Sequence, residues 1–221
     1  MDKSQIRHAA TVIILREDAV LMGQRGASAA FMPGKFVFPG GAVDHGDAQI
    51  DVGALPEPTA TRLTGESTLS PQTLAAAAIR ELWEETGQIL GTPADWADAP
   101  QGWRGFARTG HRPDARKLEF FFRAVTPQGR PRRFDARFFL AGADALCSDP
   151  DDFSNAEDEL SHLQWVPLRD ARKFDLPFIT QVVIAELASH LKTGGTPAHV
   201  PFFRNDDEAH LVSRLGGAPV L

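Results

Sequence analysis

Three glutamates, Glu81, Glu84 and Glu85, fall within five residues of the stretch AAIRELWEETGQIL at positions 77–90. On a helix, positions three and four apart share a face, so these carboxylates project together while Ile79 and Leu82 point elsewhere. Left alone they repel, at roughly 0.2–0.5 kcal/mol per pair. Arg80 is the only Lys or Arg between positions 71 and 95 that could relieve them. The surplus implies a cation the sequence does not encode. Mg²⁺ and Mn²⁺ take several oxygen ligands at about 2.1 Å, which clustered carboxylates on one turn supply. Upstream, FPGGAVDHGD at positions 38–47 offers bare backbone at Gly40 and Gly41, where no side chain keeps a carbonyl from the ion. A diphosphate bridging such ions has its charge neutralised, and water beside them becomes a stronger nucleophile. The chemistry implied is hydrolysis of a phosphoanhydride.

Positioning these groups requires a helix and a strand that ends in a turn. Ser70 and Pro71 announce a helix by N-cap and first-turn preference; it runs through four alanines to Thr86 and stops at Gly87. KFVFPGGAV reads as a strand entering a glycine turn, and ATVIILRED with AVLMGQR as a hairpin or two neighbouring strands. KLEFFFRAV, DARFFLAG and HLQWVPL are strand-like, and PFITQVVIAELASHL has a helical period. Strands interspersed with two helices indicate an α/β layered domain with a mixed sheet. Residues 48–69, rich in Pro, Thr, Gly and acids without a period, read as an exposed insertion rather than core. The tail from Thr196 is weakly patterned, so a domain over 1–195 followed by a tail over 196–221 is expected.

At 221 residues, 43% hydrophobic and 24% charged, the chain suits one well-buried core. A net charge of -6 argues against a general nucleic-acid or membrane-surface binder. Charge is segregated, with ten Lys or Arg against three acids from Arg104 to Arg137, and seven acids without Lys or Arg from Asp144 to Glu159. The single cysteine, Cys147, excludes an internal disulfide framework and is expected to be a small buried hydrophobe. Neither a signal-length apolar stretch nor an 18-residue apolar window occurs, so a cytoplasmic protein is expected. There is no GxSxG elbow, no HExxH, and no phosphate-binding loop at MPGKF.

Taken together, FPGGAVDHGD and RELWEETG resemble the Nudix box. Arg80, Glu81, Leu82, Glu84, Glu85 and Gly87 fall on its second half, and Gly41 falls on its opening glycine. Asp47 stands where the box has its first glutamate, thirty-two residues instead of seven separate it from Arg80, and Gln88 replaces an aliphatic residue. A long surface insertion adds little closure entropy, so the two halves can still meet. Such an insertion, with PRRFDARFF and LPFIT, is similar to the branch of peroxisomal coenzyme A diphosphatases.

The resemblance implies a Nudix-type α/β/α sandwich with a mixed β-sheet that uses Mg²⁺ or Mn²⁺. The substrate it implies is a small nucleoside diphosphate linked to another moiety, coenzyme A or an acyl derivative leading. ADP-ribose, NADH and nucleoside triphosphates stay open. In this reading Glu81 and Glu85 are metal ligands with Gly41 opposite them, Glu84 is a further ligand, and Arg80 orients the glutamates. Glu159, six residues before Trp165, is the candidate general base with Glu157 as its backup. Arg130, Arg132, Arg133 and Arg137 could hold phosphates, and alternation aims Arg133 and Arg137 to one face. A solvated edge strand explains these arginines equally well. His45, His111 and His162 read as polar loop or strand residues and Trp165 as core. Relatives are often homodimers. The competing reading is a non-hydrolytic nucleotide-binding sensor of the same fold, kept open by Asp47 and the insertion.

Overall fold

The computed structural model describes residues 6–194 and 199–204, and the backbone of 213–214. The first strands form a hairpin, β1 (Ile6–Arg16) and β2 (Ala19–Arg25), followed by two short strands flanking the Pro-Gly turn, β3 (Phe36–Val37) and β4 (Gly40–Ala42). Two helices follow, α1 (Glu57–Leu63) and α2 (Pro71–Thr86). A two-stranded ribbon, β5 (Gly91–Pro93) with β6 (His111–Pro113), encloses the short α3 (Arg104–Ala107). The chain then forms β7 (Glu119–Val125), β8 (Arg133–Gly142) and β9 (Leu160–Pro167). It ends in α4 (Phe178–Thr193), β10 (Pro201–Phe203) and β11 (Ser213–Arg214).

The large sheet runs β11-β10-β7-β8-β1-β2-β3, with β4 also on β1 and β9 on β2. It is mixed, because β1 pairs β8 in parallel and β10 pairs β7 in parallel while the other pairs are antiparallel. The alternation of β1 separates two cores. Ala10, Val12 and Ile14 face α2, whereas Ile13 faces α4 with Val183, Ile184 and Leu187. Helices thus cover both faces, as an α/β/α sandwich requires. Residues Ala75, Ala76, Ala77 and Ala78 are fully buried, and their small side chains bring α2 close to the sheet. Its ends follow the sequence signals. Ser70 Oγ accepts from Thr73 N–H at 3.1 Å, and Gly87 closes the helix at φ 72°.

Three expectations are corrected. The insertion is not an exposed loop: Ile50, Val52, Leu55 and Leu63 are buried in the same core as α2, and α1 lies within it. Ala115 N–H donates to Val52 O at 2.8 Å and Phe120 N–H to Thr59 Oγ1 at 3.0 Å, so its polar groups are answered. Cys147 is exposed, with its thiol on Gly91 O, instead of buried. Beyond the weakly patterned Thr196, Val200, Phe202 and Phe203 are buried and β10 joins the sheet, because so few apolar residues show no period in the sequence yet both pack on the cores and pair with β7. Residues 196–198, 205–212 and 215–221 of the expected tail lie outside the described residues, as does residue 195 before it. Among the described residues no helix is long and apolar enough to cross a membrane.

Candidate active site

Strand β4 pairs with β1 through Ala10 opposite Gly41 and Thr11 opposite Gly40, which lays the glycine bend along the last turns of α2. Gly40 has φ 157°, and a Cβ there would lie 2.6 Å from Ala10 O and from Thr11. Only glycine fits. A Cβ on Gly41 would meet the Glu81 carboxylate at 2.5 Å, and Gly40 N–H donates to Glu85 Oε2 at 2.7 Å. The two sequence segments separated by the insertion therefore come together, with the acidic turn facing the bend.

Arg80 is the hub of this arrangement. It is 6% exposed, and its guanidinium donates through Nε and Nη2 to Asp47 at 2.9 and 3.0 Å, through Nη1 to Glu81 and Glu84 at 2.9 Å each, and through Nη2 to Ala42 O at 2.9 Å. Asp47, 1% exposed, also accepts from Asp44 N–H. The shorter aspartate reaches the guanidinium because the turn at 45–49 carries it there. Burial opposes charge on Arg80, but the Asp47 hydrogen bonds outweigh it and hold the group protonated.

The carboxylates remain in surplus. Among the described residues Asp47, Glu81, Glu84, Glu85 and Glu159 have ion pairs with Arg80 and Arg25 only. Burial pushes Glu81 up to about 7, with Arg80 pulling it down and Glu84 and Glu159 pushing it further up. Burial and then Glu81 raise Glu85 well above the usual range. Burial also raises Glu84, against the pull of Arg80. Glu85 is 2% exposed, and its Oε1 has no hydrogen-bond partner, Arg25 Nη1 being 3.9 Å away. Such an orphaned oxygen is costly unless a cation meets it. No ready-made cluster of three His, Cys, Asp or Glu ligands is formed among the described residues. Arg80 engages one oxygen each of Glu81 and Glu84. The donors that fit a hard divalent ion are the free side of Glu81 and Glu85 Oε1 against the bare glycine wall.

Glu159, at the rim, accepts from Arg25 Nη2 at 2.8 Å and is near enough to perturb Glu81 and Glu85. Glu157 lies beside Glu84, to whose carbonyl its own N–H donates at 2.7 Å. Arg25 is a residue the sequence reading missed, signalled only as a cation ending a hairpin strand. Gln88, the departure from an aliphatic residue, is fully buried: its amide donates to Asp149 O and Asp152 O and accepts from Ser148 Oγ, tying the acidic loop to the end of α2. Trp165 is half-buried against the core, its indole N–H on Pro150 O. His111 Nδ1 meets Thr109 O in the ribbon and His162 Nδ1 meets the neighbouring Ser161 Oγ, neither joining the acidic site.

The arginines expected to hold phosphate are not all available. Arg137 is 1% exposed and is bound to Asp135 Oδ2 at 2.8 Å, His8 Nδ1 at 2.9 Å and Ser67 Oγ at 3.4 Å; burial lowers it to about 10. It is a structural group under the insertion, because a guanidinium enclosed by the sheet and residues 65–68 has no surface to offer. Arg133 shares its face by alternation but donates from Nε to Thr126 O, about 13 Å along the strand from the register of Gly41. Arg130 and Arg132 are exposed beside that hairpin.

Comparison with known proteins identifies the family and the fold. A Caenorhabditis elegans relative provisionally named nudix hydrolase 7 is 29% identical over 195 residues, 79% of this chain, and the chain spans 58% of that relative's length. A crystal structure of a NUDIX hydrolase from Alicyclobacillus acidocaldarius superposes with a TM-score of 0.60 at 28% identity, covering 83% of this chain and 92% of the other. The fold is shared too by a Francisella tularensis bifunctional NMN adenylyltransferase/ADP ribose pyrophosphatase complexed with AMP and a manganese ion, with TM-score 0.50, 17% identity, and coverage of 86% and 43%. Residues 70–187, more than half of the chain, match the NUDIX domain, and the chain belongs to that family.

Proposed function

We propose that the protein hydrolyses the phosphoanhydride bond of a nucleoside diphosphate linked to a second moiety, with Mg²⁺ or Mn²⁺. The observation that carries this reading is the buried Glu85 carboxylate, fixed by the Gly40 amide, with Oε1 lacking a hydrogen bond among the described residues and with Glu81 pressed against Gly41 beside it. Glu81 and Glu85 would hold the ion, with Glu84 as a further ligand and the Gly41 backbone as the facing wall. When bound, the ion neutralises the diphosphate and acidifies water. Arg80, anchored on Asp47, keeps Glu81 and Glu84 aimed. Glu159, steadied by Arg25, takes the proton from the attacking water as the phosphorus–oxygen bond to the leaving phosphate breaks; Glu157 is the second candidate.

Coenzyme A or an acyl derivative leads among substrates on the strength of the insertion and the branch it resembles, and the Francisella relative's named substrate, ADP ribose, is the next. Asp47 bonding to Arg80 through both oxygens favours the enzyme over a nucleotide sensor, since the departure at that position leaves the hub intact. The test is incubation of the purified protein with Mg²⁺ or Mn²⁺ and a panel of coenzyme A, acyl-coenzyme A, ADP-ribose, NADH and nucleoside triphosphates, with products followed by chromatography. Turnover of at least one is expected; binding without turnover for all of them overturns the proposal in favour of the sensor.

A further inference from the structure

We propose that Gln88 is a positioning residue for the general base: its buried amide fixes where the loop over residues 147–159 sits on the end of α2, and so where Glu159, or Glu157 in its place, stands relative to the acidic turn. The inference rests on the hydrolase reading, because without that reaction there is no base to position. Gln88 follows the glycine that closes α2, at the place where the Nudix box has an aliphatic residue, and it is fully buried. An aliphatic side chain of that size fills the same space without taking an amide out of water. What the amide adds is direction, since hydrogen bonds fix an angle and a register that apolar packing leaves free.

Both ends of that amide are engaged by the loop. Nε2 donates to Asp149 O at 3.1 Å and to Asp152 O at 2.9 Å, and Oε1 accepts from Ser148 Oγ at 2.7 Å. Carbonyls only accept, so the amide has one orientation. Ser148 Oγ in turn accepts from Ile89 N–H at 3.0 Å, and Cys147 N–H donates to Ile89 O at 2.8 Å, which fastens the start of the loop to the residue after Gln88.

The loop also has bonds of its own, so it docks as a unit. Asp152 N–H donates to Asp149 O at 3.1 Å, Ser154 N–H to Asp152 Oδ1 at 2.9 Å and Ala156 N–H to Phe153 O at 3.1 Å. From Gln88 the unit runs back along α2. Asn155 and Ala156 lie against Gly87, where a Cβ would come 3.1 and 3.2 Å from them, and Glu157 N–H donates to Glu84 O at 2.7 Å, one helical turn before Gln88. Two residues on, Glu159 meets Arg25 Nη2 at 2.8 Å, and Arg25 Nη1 lies 3.9 Å from Glu85. A shift of the unit at Gln88 therefore moves Glu157 and Glu159 together while Glu81, Glu84 and Glu85 stay on α2. Phe153 packs on the core and Arg16 pairs with Asp151 at the surface, so the loop stays attached when Gln88 is changed but loses its single register.

The test is Gln88→Met in the full chain, which keeps the volume and removes the three bonds. Hydrogen exchange on the metal-free protein reads the anchoring: protection of the Glu157 amide falls by about tenfold, with the amides of α2 unchanged. With Mg²⁺ and the best substrate, kcat falls by about 30-fold while KM and the Mg²⁺ concentration for half-maximal activity stay within threefold. Ser148→Ala, a milder change that removes one of the three bonds, gives the same pattern at about threefold in kcat and carries the test if Gln88→Met does not fold. In whichever of Glu159→Gln and Glu157→Gln lowers kcat, adding Gln88→Met costs less than about twofold more, because the group it displaces is already gone. Unchanged exchange at Glu157, unchanged kcat over a loosened loop, a loss that appears in KM or in the Mg²⁺ requirement, or a full loss retained in the variant without the base each overturns the assignment and leaves the hydrolase standing. Wild-type protein that turns over no member of the panel overturns the hydrolase reading, and the assignment falls with it even where the loop loosens.

Discussion

A methyl group on the α-carbon of Gly41 would lie 2.5 Å from the carboxyl carbon of Glu81 and from both of its oxygens. Glycine here is a matter of space rather than of backbone angle, since the clash is with a functional side chain. Gly41→Ala is therefore expected to push Glu81 aside by about 1 Å and to lower kcat by roughly 100-fold. Circular dichroism should show the fold retained. Activity within threefold of wild type would mean that Glu81 need not face the bend.

Glu85 is more buried than Glu81, and its Oε1 has no hydrogen-bond partner among the described residues. Glu85→Gln keeps an acceptor for the Gly40 amide while removing the charge. Turnover should fall at least about 100-fold. In the metal-free protein at pH 8 the variant should be more stable than wild type by about 1 kcal/mol, because a buried charge met only by the distant Arg25 guanidinium, at 3.9 Å, is gone. Urea titrations with and without Mg²⁺ check both parts, and the variant should have lost most of the Mg²⁺-induced gain.

Much of this site was legible because it depends on local rules. Ser70, Pro71 and Gly87 bound the helix through capping, and the spacing of Glu81, Glu84 and Glu85 places them on one turn irrespective of tertiary structure. What stayed hidden depends on contacts between distant segments. Ile50, Val52, Leu55 and Leu63 follow no single period, since they belong to an irregular path that fills space beside α2, and so the insertion reads as exposed. Arg137 has the residue type of a phosphate ligand, and only the return of residues 65–68 over it makes it structural. Arg25 could be assigned only once β2 and β9 were seen to bring it beside Glu159.

The raised proton affinity of Glu81 gives a pH dependence with a definite sign. Its value when folded, about 7, lies above the ordinary carboxylate value of 4.5, so the metal-free native state holds its proton more tightly than the unfolded chain. The resulting stability is fully present below about pH 4.5 and is lost as pH rises to 7, by up to roughly 3 kcal/mol. Glu84 and Glu85 act in the same direction. Metal-free unfolding midpoints should therefore decline from pH 5 to pH 8, and Mg²⁺ should raise the midpoint more at pH 8 than at pH 5. A flat profile without metal would remove the strained carboxylates from the account.

Glu159 touches Arg25 and stands at the rim, half exposed, unlike the buried ligand candidates. Glu159→Gln should lower kcat by about 100-fold while leaving the Mg²⁺ concentration for half-maximal activity within threefold, and the acidic limb of the pH–rate profile should move or vanish. If Glu157→Gln does this instead, the base is Glu157.

Asp135 binds two buried cations at once, Arg137 Nη1 and Arg123 Nη2 at 2.8 Å each, with His8 Nδ1 at 3.7 Å. Arg123 in turn donates to the carbonyls of Gly65 and Glu66 and lies 4.3 Å from the Phe202 ring of β10. The cluster thus pins the end of the insertion and strand β10 to β7 and β8. Removing the shared carboxylate leaves two guanidiniums enclosed without a counter-charge, so Asp135→Ala should destabilise the protein by about 3–5 kcal/mol. Residues 65–68 should then become susceptible to proteolysis before the rest of the chain. At a temperature where the variant remains folded, KM for the best substrate should stay within twofold of wild type, since none of these groups faces the acidic turn. A large rise in KM with little loss of stability would instead return Arg137 to substrate phosphate.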